Sequence, residues 1–194
     1  MSKKVFAANW KMYLNDKESK EFMSRITSNK EFFSEFNIMI FPNHISIAAV
    51  QDLAKDLPNI KIGMQDCDAT ISGAITGSNS ITSLDVDSCI VGHSERRNVF
   101  NESNEIIKSK LNNCLNNIDS VILCIGEQLD EKEQNKTFEI IQKQLSILPK
   151  ELNGKNLIIA YEPVWAIGTG LVASKEYIDA VSYTHLTLPT IYSV

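Results

Sequence analysis

The sequence predicts a parallel α/β protein built from six repeated strand–helix units. Three observations predict it. Short apolar runs recur along the 194 residues, and each is too short to be a helix. Most of these runs are continuous rather than alternating, as suits strands covered on both faces. Their starts lie roughly 30 residues apart, about one strand plus a crossover helix.

The first run is Val5–Ala8. After it, Phe22, Met23 and Ile26 make an apolar stripe across Asp16–Ile26, and Phe32, Phe33 and Phe36 follow. The second run is Ile38–Phe41, and Ile47, Val50, Ala54 and Leu57 then fall at helical spacing. The third run is Ile60–Met64, followed by a polar spot at Ser78-Asn79-Ser80 that reads as loop. The fourth is Cys89–Val91; beyond it, Asn101 to Asn104 can cap a helix holding Ile106, Ile107, Leu111 and Leu115. The fifth is Val121–Ile125, and the polar stretch from Asp130 to Leu148 after it places Phe138, Ile141, Leu145 and Leu148 on one face. The sixth is Leu157–Ala160, and Ser174 can cap a last helix from Lys175 to Val181. Six parallel strands with right-handed crossovers fit either a doubly wound open sheet or part of a (β/α)8 barrel, and periodicity does not separate the two. A typical barrel takes about 250 residues, and two further units do not fit after Val181.

Composition excludes some functions. The chain is 43% apolar and 22% charged, with a formal net charge of −5. Broad phosphate-backbone binding to nucleic acid needs a basic surface, so no nucleic-acid partner is expected. No run of 18 apolar residues exists, so no membrane span is expected either. The start has no apolar segment of the secretory kind, which points to the cytoplasm. Cys67, Cys89, Cys114 and Cys124 form no C-x-x-C pair and read as small buried hydrophobes in a reducing compartment.

Ligand sites of parallel α/β folds lie at the carboxyl ends of the strands. Asn9 and Lys11 follow the first strand; His93, Ser94 and Glu95 follow the fourth. Gly126 and Glu127 follow the fifth, and Glu162 with the stretch Pro163 to Gly170 follows the sixth. A carboxylate, an imidazole and an ammonium at one end suit proton abstraction beside a carbonyl. Each residue alone has an ordinary alternative: a salt-bridge carboxylate, a structural histidine, a solvated lysine. The Gly168-Thr169-Gly170 stretch is neither a P-loop nor a dinucleotide fingerprint.

Taken together the motifs are specific. Ala8-Asn9-Trp10-Lys11-Met12, Val91-Gly92-His93-Ser94-Glu95-Arg96-Arg97, Cys124-Ile125-Gly126-Glu127 and Ala160-Tyr161-Glu162 through Gly170 resemble the signature segments of the triosephosphate isomerase family. Ser72 to Gly77 resembles that family's third loop, and the resemblance runs from about Lys4 to Val181. It implies a TIM-barrel fold, with about the first six of eight units in residues 1–181.

The resemblance also implies an aldose–ketose isomerase that interconverts dihydroxyacetone phosphate and D-glyceraldehyde 3-phosphate through an enediolate. It makes Glu162 the base, His93 a neutral imidazole donor and Lys11 a fixed positive charge for the anionic substrate. Asn9 becomes a positioning donor, Glu95 a partner that orients Lys11, and Ser94 a hydrogen-bonding support. Pro163 to Ala173 becomes a mobile lid whose Gly168 amide reaches the substrate phosphate. No metal or organic cofactor is implied. A homodimer is implied for the full-length protein, with Thr76 at the tip of the loop inserted beside the neighbour's site. Two departures bear on that interface: Ser78 stands where Glu is usual, leaving Arg96 without its usual partner, and Asp66 stands where Asn is common.

Residues 182–194 do not resemble the family, and no strand-seven or strand-eight phosphate-binding segment occurs. This tail is expected to be non-native. Its β-branched residues suit an extended piece, held to a sheet edge by Pro189. The chain as written is expected to be poorly soluble and to have little activity.

Overall fold

The computed structural model describes residues 5–152 and 156–186, with side chains to residue 182. The six expected strands all form: β1 (Val5–Asn9), β2 (Asn37–Phe41), β3 (Ile60–Met64), β4 (Ser88–Val91), β5 (Ser120–Ile125) and β6 (Asn156–Tyr161). They pair in parallel in the order β1-β2-β3-β4-β5-β6. A doubly wound sheet reverses its strand order at a switch point. This sheet never reverses, which decides for the barrel type of winding that periodicity left open.

The sheet is curled. In a flat sheet β1 and β4 would stand about 14 Å apart, at ~4.8 Å per strand. Instead Lys11, just past β1, reaches Glu95, just past β4, at 2.7 Å. Side chains alternate between two faces, as the pleat requires. Met39 and Phe41 of β2, Ile90 of β4, and Ile122 and Cys124 of β5 pack together with Ile158 and Ala160 of β6 on the inner face. The alternate residues, among them Ile40, Ile62, Met64, Val91, Leu123 and Ile125, pack outward against the helices. Gly63 of β3 faces inward. A Cβ there would stand 2.5 Å from Phe41 Cε1 and 2.4 Å from Ser88 Oγ, so only glycine admits the Phe41 ring into the interior.

The helices mostly follow their sequence signals. α1 (Asp16–Ser28) starts with a capping box between Asn15 and Glu18 and buries Met23. α2 (Lys30–Phe33) is a single turn, and α3 (Ile47–Ala54) buries Ile47, Val50 and Ala54. α4 (Ser94–Asn98) was not expected; it is a short turn started by His93. α5 (Asn104–Asn117) is capped by Ser103, whose side chain accepts from the Ile106 amide. The polar stretch after β5 divides into α6 (Leu129–Glu133) and α7 (Thr137–Leu145), with Asn135 at φ 57° between them. Ile141 of α7 is fully buried, whereas Phe138 remains half exposed.

α8 runs from Lys175 to Leu186, with Ser174 Oγ accepting from the Tyr177 amide. The extended conformation expected from Ser182 onward is therefore not found over 182–186, where the helix simply continues. Pro189 lies outside the described residues. Arg96 is not left alone either: its Nε lies 3.1 Å from Asp66 and 2.8 Å from Glu102, and Lys110 joins the same two carboxylates at 2.7 and 2.6 Å. The charge that replaces the common Asn at position 66 thus helps to bind Arg96 within its own chain.

Candidate active site

The curl carries the ends of β1, β4 and β6 toward one another. Lys11 follows β1 with a left-handed backbone, φ 51°, which is costly for a residue with a Cβ. Hydrogen bonds hold it there. Its amide donates to Asn9 Oδ1 at 2.9 Å, and its carbonyl accepts from Gln65 Nε2 at 2.8 Å. The same Gln65 amide donates to the Phe41 carbonyl, tying the loop after β1 to β2 and β3. The Lys11 ammonium then meets Glu95 Oε1 at 2.7 Å. That hydrogen bond, aided by the charges of Glu95, Tyr13 and Glu162, holds Lys11 above the ordinary lysine pKa against partial burial.

His93 occupies the N-cap of α4, and its Nδ1 accepts from the Glu95 amide at 3.2 Å. With Nδ1 an acceptor, the neutral ring carries its proton on Nε2. Nε2 lies 3.3 Å from Glu162 Oε1. The other Glu162 oxygen accepts from the Ser94 amide at 3.1 Å, so Ser94 supports the carboxylate through its backbone rather than its hydroxyl.

Glycines make room for this arrangement. A Cβ on Gly126 would lie 1.8 Å from the Glu162 carbonyl oxygen. Gly92 has φ +68°, and a Cβ there would meet Arg97 Nη2 at 2.9 Å. Arg97 donates to the Gly92 and Cys124 carbonyls and to Asn104, fastening the ends of β4 and β5 together. Burial, with the Glu162 charge, pushes the nearby Cys124 thiol well up, so it stays protonated beside the site.

Sequence reasoning noted Glu127 at the end of β5 without giving it work. It is a fully buried carboxylate that accepts from Tyr161 at 3.0 Å, from Trp165 Nε1 at 2.8 Å and from Tyr177 at 2.9 Å. Lys132 of α6 lies over the Trp165 ring, 3.2 Å from its centroid. This cluster anchors the short 3-10 turn Val164–Ala166 at the start of the segment expected to be a lid. Beyond the anchor, Ile167 through Val172 are exposed, and Thr169 Oγ1 donates to the Trp165 carbonyl. Gly168 belongs to this exposed stretch, at φ +71°, and nothing lies within 4 Å of where a Cβ would stand on it. Thr76 lies on the exposed loop between β3 and β4.

An ammonium held by Glu95, and an imidazole nitrogen facing a carboxylate, can bind a small anion and move a proton beside a carbonyl. Among the described residues, the one close set of potential metal ligands is Cys67, Cys89 and Cys114, outside this site.

Known proteins are similar to this chain in sequence. The sequence model of the triosephosphate isomerase family matches residues 4–185. A triosephosphate isomerase of Dictyoglomus thermophilum is 41% identical over 189 residues, covering 94% of this chain and 75% of that protein. One from Bdellovibrio bacteriovorus is 39% identical over 182 residues, 91% of this chain and 74% of its own length. One from Aquifex aeolicus is 39% identical over 184 residues, with 92% and 73% covered.

Proposed function

This chain belongs to the triosephosphate isomerase family, and on that premise we propose how its strand-end residues perform the family's aldose–ketose isomerisation of triose phosphates. Lys11 supplies the fixed positive charge that draws in the anionic substrate. Its bond to Glu95 and its strained but well-bonded backbone keep that charge in place before substrate arrives. Asn9 positions Lys11. Glu162 removes a proton from the carbon beside the carbonyl and returns it to the neighbouring carbon. The His93 Nε2–H faces the Glu162 carboxylate and is the donor for the carbonyl and enediolate oxygens, the role this imidazole is known to play in the family. Closure of Pro163–Ala173 would bring the Gly168 amide to the phosphate and exclude water. The reaction is acid–base throughout and asks for no cofactor.

The observation that carries this reading is the meeting of groups from three non-neighbouring strands: Lys11 on Glu95 at 2.7 Å and His93 on Glu162 at 3.3 Å. Deuterium exchange into dihydroxyacetone phosphate in D2O, followed by NMR, tests it, because it reads proton abstraction even when turnover is slow. Exchange catalysed by the 194-residue chain and lost in Glu162→Gln is the expected result. Exchange that survives in Glu162→Gln would remove Glu162 as the base. Overall turnover of this chain is expected to fall well below that of the Dictyoglomus relative, since the Gly168 amide offered to the phosphate stands on an exposed stretch. A coupled assay of both proteins side by side checks this.

The homodimer remains part of the proposal for the full-length protein, with Thr76 at the inserted loop. Supporting it, Met12, Tyr13, Ile45, Ile75 and Phe100 leave large apolar surfaces exposed, Met12 at 93%. Arg96, bound to Asp66 and Glu102, would enter that interface already paired. The protein is placed in the cytoplasm, with triose phosphate as its ligand and neither nucleic acid nor membrane as partner. The net charge of −5 favours this reading, and no helix among the described residues is long and apolar enough to cross a membrane.

A further inference from the structure

Three of the four cysteines converge away from the catalytic cluster. Cys67 follows β3, Cys89 lies within β4 and Cys114 lies on α5. Their sulfurs all lie within 4.8 Å of one another, and those of Cys67 and Cys114 are 3.3 Å apart. The residues are 3%, 0% and 0% exposed and belong to the outer apolar core that also holds Val91, Leu111 and Ile81. No sequence spacing announces this trio; the fold assembles it from a loop, a strand and a helix.

We propose that Cys67, Cys89 and Cys114 form a three-sulfur binding site for a trivalent thiophile of the arsenite class. Geometry permits it. An atom about 2.3 Å from each sulfur, with the pyramidal angles of roughly 95–100° that a lone pair leaves, needs sulfurs roughly 3.5 Å apart. The observed spacing brackets that value, so small side-chain adjustments suffice.

Charge selects the ligand. Thiolates in general attract soft ions such as copper(I) and zinc(II). Three thiolates would leave a monovalent ion with two surplus negative charges and a divalent ion with one. A surplus charge in an apolar core is costly unless a cation balances it. The nearest buried ammonium, Lys110, is already committed: Lys110 and Arg96 face the two carboxylates of Asp66 and Glu102. A trivalent centre leaves no surplus. Arsenous acid reacts with three thiols to give As(S-Cys)3 and three waters. Three As–O bonds break, three As–S bonds form, each thiol proton leaves with an oxygen as water, and no oxidation state changes.

An entry path exists. Cys67 lines a cleft of about 250 Å³ together with Gln65, Asp66, Asp68, Asn79 and Lys110. Hydrogen bonds from Cys114 and Cys89 pull the Cys67 thiol down, whereas sulfur contacts and burial push Cys89 and Cys114 up. Cys67, which lines the cleft, meets the incoming ligand first, and Cys89 and Cys114 close on it.

The test uses the reduced 194-residue chain, one equivalent of sodium arsenite and gel filtration. Intact-mass spectrometry is expected to show one arsenic gained and three hydrogens lost, with arsenic X-ray absorption showing three sulfur neighbours and no oxygen. Cys67→Ser and Cys114→Ser should each weaken retention on the order of a hundredfold, because the remaining pair loses one intramolecular ligand. Cys124→Ser should retain arsenic fully, and one equivalent of zinc(II) should not displace it. Two-sulfur coordination, retention by the Cys67→Ser and Cys114→Ser chains equal to that of the parent, loss of binding in Cys124→Ser, or displacement by zinc would each overturn the proposal. Cys89→Ser is avoided as evidence, since its position in the middle of the sheet puts folding itself at stake.

Discussion

At the scale of the residue, the site depends on which atom of each side chain is already occupied. His93 Nδ1 is taken by the Glu95 amide, so Nε2–H is the atom that the proposed mechanism leaves for substrate. His93→Ala should therefore slow proton exchange by roughly a hundred- to ten-thousandfold, the range for a positioned acid–base group. A loss confined to KM would show that the ring only binds. Asp66 offers a different reading. Burial outweighs the pull of Lys110 and Arg96 and raises its pKa from 3.8 to about 6. A folded pKa above the unfolded one means stability that is full below about pH 4 and lost as pH rises through about 6. Over that interval the loss is on the order of 3 kcal/mol, at ~1.4 kcal/mol per pKa unit. Asp66→Asn cannot titrate, so denaturant midpoints for parent and variant should diverge between pH 4 and 6, with the parent falling. Parallel profiles would refute the assignment.

At the scale of the element, the segment proposed as a lid is held at its first end by a carboxylate with three donors. Tyr177→Phe removes one of them from fully buried Glu127 and separates α8 from the Val164–Ala166 turn. A hydrogen bond to a charged group is worth about 1.5–3 kcal/mol, and a loss of that order is expected in chemical denaturation. Gly63→Ala should cost more, since its Cβ would press on the Ser88 backbone carbonyl at 2.6 Å as well as on Phe41. A variant that melts with the parent would show that β3 and β4 can separate at no cost. The six strands were legible in the sequence because strands buried on both faces leave continuous apolar runs. Other elements were not. α4 is a five-residue polar turn with no apolar stripe, and the break between α6 and α7 rests on a left-handed asparagine rather than a glycine or proline. Lys11, His93 and Glu162 were legible as strand-end polar residues, and the family motifs gave them roles. The Glu127 anchor was hidden because its donors come from β6, the lid turn and α8, which only folding brings together.

At the scale of the whole molecule, the curled sheet has two ends that its own described residues do not join. β1 pairs with β2 and β6 with β5, and no strand among the described residues lies between β1 and β6. Beside β1, Phe6, Trp10, Phe22, Phe32 and Phe36 line a groove with no polar residue in it. Phe6 is 51% exposed and Phe32 68%, with Phe6 and Phe36 already edge to face at 5.1 Å. An apolar groove next to an unpaired strand edge combines two sources of association, one from surface burial and one from backbone hydrogen bonding. The 194-residue chain alone should therefore self-associate in a concentration-dependent way. Placing lysine at both Phe6 and Phe32 puts charge on the groove without touching Lys11, His93 or Glu162. Sedimentation velocity should show the parent distributed into large species and the Phe6→Lys/Phe32→Lys chain shifted toward monomer. Circular dichroism must remain helical and stranded in both. If the double variant stays folded and associates as strongly as its parent, the groove is not the adhesive surface.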